Sequence, residues 1–71
     1  MNQNNDFGKL LGRRLKQARK SRGYKNREDL STEIGVHLST YGNYERGERI
    51  PDAVFLKNFC DTLHILSLIH I

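Results

Sequence analysis

Several things are scarce in this chain, and each scarcity narrows its class. It has one cysteine, Cys60, so no intrachain disulfide can form, and a reducing cytosol is the expected setting. No apolar run is long enough to cross a bilayer, and no secretory signal is in view. Nothing reads as a convincing strand, repeat or heptad array. Between Lys9 and Arg27 there is no acidic residue at all. Length is short too: 71 residues allow one domain. A chain of this size buries only about 60% of the surface its unfolded form exposes, leaving little room for a catalytic cleft.

What fills the acid-free interval is positive charge. Lys9, Arg13, Arg14, Lys16, Arg19, Lys20, Arg22, Lys25 and Arg27 all fall there. Arg46, Arg49 and Lys57 are the remaining basic residues, and the formal net charge is +4. Such a distribution suits polyanionic partners, nucleic acid first and an anionic membrane second. A solvated helix face is the plainer reading of the same block.

Chemistry of other kinds finds little support. His37, His64 and His70 share no metal-ligand spacing with one another or with Cys60, so no metal or other cofactor is expected. Cys60 lies on an apolar stripe and reads as core. Ser39, His37 and Glu45 are the residue types of a triad, but a short surface helix without a pocket is not an active site. The chain is therefore not expected to be an enzyme.

The apolar periodicity predicts an all-α domain of four short helices, with the stub of a fifth. MNQNN, residues 1–5, reads as a mobile tail, and the domain as 6–65. Asp6 can cap a helix beginning at Phe7, whose inner face would carry Phe7, Leu10, Leu11, Leu15 and Ala18. Lys9, Arg13, Lys16 and Lys20 point away; Arg14 and Arg19 fall near the apolar side and are expected to find internal partners. Gly23 ends this helix. Asn26 caps a second helix, with Glu28 and Asp29 in its first turn and Leu30 and Ile34 facing inward. Gly35 stops it. A third helix is expected from about Leu38 to Arg46, stopping at Gly47, with Tyr41 and Tyr44 inward. Pro51 and Asp52 announce a fourth, striped by Leu56, Phe59, Cys60 and Leu63. Phe55 falls off that stripe and reads as exposed, or as part of a partner surface.

Two short helices joined by a tight glycine turn define a helix-turn-helix. Here the segments LGRRLKQAR, DLSTEIGV, STYGNYERGERIP and DAVFLKNFCDTLHI follow in order. In that order and spacing the chain resembles the lambda-repressor-like (Cro-type) helix-turn-helix family, from Leu11 to Ile65. The resemblance implies a phage-repressor-like domain that binds double-stranded DNA as a homodimer on a palindromic operator, with no membrane role. It implies a bacterial or phage-encoded cytoplasmic protein associated with the nucleoid. Two other biological settings share the fold, an antitoxin and a restriction-modification controller. A protein-interaction module without DNA binding is the rival of another class, with a basic amphipathic helix on a membrane beside it.

Residue by residue, the resemblance implies a buried ion pair between Arg19 and Glu45. It places Arg27, Arg46 and Arg49 on DNA phosphates, and His37, Leu38, Ser39, Gly42 and Asn43 toward base edges. Asn43 could offer an adenine edge two hydrogen bonds. This chain also departs from the family's pattern. Arg27 stands where glutamine is usual, Ser31 where a small alanine is usual, and His37 where serine or threonine caps the recognition helix. Tyr41 replaces an aliphatic core residue, so its ring is expected to tilt outward to a phosphate. GYKNREDL carries one residue more than the commonest spacing.

Residues 66–71, LSLIHI, turn abruptly apolar where the family opens a polar fifth helix. LSLIHI is also the translation of a transposon end used as a sequencing adapter. The expectation is that the natural gene was cut after Ile65 and read into adapter. Coding DNA with other codons than CTG TCT CTT ATA CAC ATC would refute this. A genuine apolar terminus that packs or dimerises is the other reading.

Overall fold

The computed structural model describes residues 3–65. Four helices follow one another: α1 (Gln3–Ser21), α2 (Arg27–Ile34), α3 (Leu38–Arg46) and α4 (Ala53–Leu63). No strand occurs among the described residues. The expected fifth-helix stub and the LSLIHI tail lie outside them.

Local sequence sets most of the boundaries. The Asn26 side chain accepts from the Asp29 amide at 2.9 Å and starts α2. Asp52 does the same for α4, accepting from the Phe55 amide at 2.8 Å. Such a cap is worth about 1 kcal/mol against alanine. Gly35 ends α2 with φ 87°, a left-handed conformation that side chains resist, and so makes the turn into α3. At the other end of α3, Gly47 has φ 79°, and a β-carbon there would stand 2.9 Å from Lys9 Cα. Glycine is required at position 47 both for the turn and for the approach of α1.

α1 starts at Gln3, inside the stretch expected to be a tail. Asp6 therefore sits within the first turn and does not cap the helix. The inner face of α1 is also displaced from the expected one. Gly8, Leu11, Gly12, Leu15, Ala18 and Arg19 are buried, whereas Phe7 and Leu10 are 53% and 41% exposed. The cause is the partner. α1 packs chiefly on α3, with Gly12 against Glu45 and Gly8 against Gly47, and this contact side turns Phe7 and Leu10 outward. Gly12 allows the crossing to be close: a β-carbon there would stand 2.4 Å from the Glu45 carbonyl oxygen.

The core gathers Leu11, Leu15, Ala18, Leu30, Tyr41, Phe55, Phe59 and Leu63. Its centre is aromatic. Phe55 packs edge-on to Tyr44 at 4.7 Å between centroids, and lies 5.8 Å from Phe59 and 6.1 Å from Tyr41. Phe55 is thus core and not surface, contrary to the expectation from the α4 stripe. Tyr41 and Tyr44 reach it from α3, and that tertiary contact outweighs its position on the helical wheel. Full burial of a residue such as Phe59 contributes about 1.5–3 kcal/mol. Ile34 and Val36, on either side of the turn, pack against the same cluster half-buried and hold α2 against α3.

Candidate nucleic-acid interface

Glu45 lies on the inner side of α3 with a fully buried side chain. An isolated carboxylate there would carry a large desolvation penalty. Three donors satisfy it. Arg19 Nε of α1 donates to Oε2 at 2.8 Å, and the Tyr41 hydroxyl donates to the same oxygen. Arg27 Nε, at the start of α2, donates to Oε1 at 3.0 Å. Arg19 is completed by a bond from Nη1 to the Tyr24 carbonyl at 2.8 Å. Burial alone would raise the Glu45 pKa. Hydrogen bonds from Arg19, Tyr41 and Arg27 outweigh it, so the carboxyl titrates below its ordinary value. Burial and the adjacent Glu45 push the Tyr41 phenol strongly up. Among the described residues, no buried side-chain nitrogen or oxygen lacks a partner.

The implied Arg19–Glu45 pair is therefore present. Tyr41 does not turn outward. It is fully buried and gives its hydroxyl to Glu45, so it cannot reach a phosphate from the fold as it stands. The physical reason is the carboxylate: once Glu45 is buried, its second lone pair on Oε2 needs a donor, and Tyr41 one turn earlier supplies it. The bond from Arg27 to Glu45 was not anticipated. No signal in one sequence ties position 27 to position 45.

The other face of α3 is open. His37, Leu38 and Ser39 are exposed, and Asn43 is half-buried. His37 occupies the cap position: its Nδ1 accepts from the Ser39 amide at 3.3 Å and lies 2.9 Å from the Ser39 hydroxyl. An imidazole thus replaces the usual hydroxyl cap. Leu38, Ser39 and Gly42 line an open groove with Arg27, Glu28 and Arg46. Gly42 itself is buried, because the Arg46 and Arg27 guanidinium groups lie over it. Its helix surface is therefore covered by these two side chains in the free protein. Arg49 is exposed in the loop after α3. Arg27 keeps a 34% exposed side chain although its Nε is committed to Glu45. It therefore joins the buried network to the groove.

Helix–glycine–helix, with α3 pinned from behind by the Arg19–Glu45 pair and open in front, is the arrangement expected from the sequence; the Tyr41 hydroxyl is an addition to it. The helix-turn-helix family pattern matches residues 15–69. The chain belongs to this family. Its lambda-repressor/Cro-like character agrees with the resemblance in the sequence. Among helix-turn-helix relatives, the chain is similar to an uncharacterised HTH-type transcriptional regulator, YazB of Bacillus subtilis (strain 168). The two are 36% identical over 56 residues, covering 79% of this chain and 80% of that protein. No solved structure matches the chain. No helix among the described residues is long and apolar enough to cross a membrane.

Proposed function

We propose that the chain is a DNA-binding transcriptional regulator of the repressor type, which places α3 in the major groove of double-stranded DNA. The observation that carries this reading is the division of α3 into two faces. Tyr41 and Glu45 lock it from behind, while Leu38, Ser39 and Asn43 remain available in front. A groove about 12 Å wide admits a helix presented in that way. Family membership and the regulator named as its relative support the same reading. The basic block from Lys9 to Arg27 supplies the long-range attraction.

In this mechanism Arg49 and the positive N-terminus of α2, with Arg27, meet phosphates and fix the register. His37, Leu38 and Ser39 face base edges, with Asn43 beside them on the same front. A homodimer reads two half-sites of a palindromic operator, roughly 34 Å apart, and represses by occupying a promoter. The protein would work in the cytoplasm, on the nucleoid. Binding is tested by titrating salt against duplex DNA. Log affinity should fall linearly with log salt, by close to one unit of slope per phosphate neutralised. Absence of duplex binding even at low salt would refute this reading in favour of a protein-interaction module.

A further inference from the structure

Arg46 ends α3, yet its side chain does not run outward from the helix end. It folds back one turn. Nη2 donates to Asn43 Oδ1 at 2.6 Å, and Nε donates to Glu48 Oε1 at 3.2 Å. Nη1 rests over Gly42, 2.9 Å from where a β-carbon would be. Helical side chains lean toward the N-terminus, so the direction is ordinary. What is particular here is the bare Gly42 that receives the guanidinium and the two side chains that hold it. The Arg46 side chain is still 45% exposed. Its guanidinium thus lies on the same open surface as Leu38, Ser39 and Asn43.

We propose that Arg46 reads a guanine in the major groove, with Gly42 as its seat and Asn43 and Glu48 as its positioning residues. The inference rests on the DNA-binding reading above and moves Arg46 from the phosphates to the bases.

Three features favour a guanine edge. The first is donor chemistry. Guanine presents two acceptors, O6 and N7, which match the guanidinium fork. Arginine only donates, so the Asn43 atom it meets is the oxygen, and the Asn43 NH₂ is left facing away. Together the two side chains present donors. An adenine edge needs an acceptor for its amino group; guanine at O6 and N7 does not. The second is Glu48. Its carboxylate sits against Arg46 Nε and would repel an incoming phosphate, whereas a base edge carries no net charge. The third is Gly42. A side chain at position 42 would push the guanidinium off the helix and away from Asn43.

The test is selection of binding sites from random duplexes, with the chain and with Arg46→Lys and Gly42→Ala. The parent should hold guanine at one fixed position of each half-site. Arg46→Lys keeps the charge and loses the fork. Preference at that position should fall about tenfold, with the salt slope unchanged. Replacing that guanine by 7-deazaguanine, which lacks the N7 acceptor, should weaken the parent more than the lysine variant, which loses the fixed fork. Gly42→Ala should lose the same preference while its helical circular dichroism is retained. Uniform weakening of all duplexes by Arg46→Lys would overturn the assignment, and so would a guanine preference that survives it undiminished. A parent that binds duplex normally in either of those cases leaves the regulator reading standing. A parent that binds no duplex at all defeats both.

Discussion

Arg19 Nε and Glu45 Oε2 meet at 2.8 Å across 26 residues of sequence, in a site where the two side chains are 4% and 0% exposed. The pair ties α1 to α3. Two buried charges of this kind add little net stability over an apolar pair of equal volume, but removal of one partner strands the other. Arg19→Ala should destabilise the domain by about 3–5 kcal/mol, read as a fall in the urea midpoint. Because total stability in so small a domain is of that order, much of the population should unfold. An unchanged midpoint would show that Arg27 and Tyr41 suffice to hold Glu45.

Stability should decline at both ends of the pH scale. Glu45 titrates lower in the fold than its ordinary 4.5, so the unfolded chain takes up its proton first on acidification. Its contribution is present above about pH 4.5 and is lost as pH falls toward the folded value. Tyr41 titrates higher than its ordinary 10.0, so the unfolded chain loses that proton first on the alkaline side. Tyr41→Phe should flatten the decline above pH 10, and Glu45→Gln the decline below pH 4.5. Chemical denaturation across pH checks both limbs.

Gly12, packed on α3, and Gly42, within it, should respond in opposite ways to alanine. At Gly12 the added carbon meets the Glu45 and Tyr44 carbonyl oxygens at 2.4 and 2.8 Å, and backbone cannot step aside. Gly12→Ala should destabilise by about 1–3 kcal/mol, even after its gain in helix propensity. At Gly42 the one close neighbour is the exposed Arg46 guanidinium end at 2.9 Å, which can swing away, while Arg27 at 3.6 Å is in ordinary contact and need not move. Gly42→Ala should raise the stability of the free domain by up to about 1 kcal/mol. Thermal melts of the two variants distinguish the sites.

Arg49→Ala should weaken binding to every duplex alike and lower the salt slope by about 1, the behaviour of a phosphate contact. Asn43→Ala should instead act through Arg46, whose Nη2 loses its acceptor. Its effect should therefore appear at the position that Arg46→Lys alters and nowhere else. Relaxation at a separate adenine position would restore the direct reading of Asn43.

Where a boundary depends on neighbours in sequence, it was legible. Asn26, Asp52, Gly35 and Gly47 mark the helix ends at which the fold uses them. The Arg19–Glu45 pair was also accessible, through the family resemblance. Readings that failed depend on what comes from elsewhere in space. Phe55 is drawn inward by Tyr41 and Tyr44, and Phe7 and Leu10 are left out because α1 meets α3 through Gly8 and Gly12 instead. Periodicity places Tyr41 inward, as the fold has it; the outward tilt followed from the resemblance, where an aliphatic residue is usual, and the resemblance does not reveal that a buried carboxylate takes the hydroxyl. Gly12 gave no signal, for an absent side chain carries no pattern until the opposing backbone is known. The folded-back Arg46 is legible only in three dimensions, because it depends on Gly42, Asn43 and Glu48 together.

One carboxylate receives bonds from the first, second and third helices, through Arg19, Arg27 and Tyr41. None of these helices can swing away without depriving Glu45 of a donor inside the core. Partial opening is thereby discouraged, and the three should be lost together. Native-state amide exchange should report this as a single free energy shared by protected amides in α1, α2 and α3, with no helix opening early.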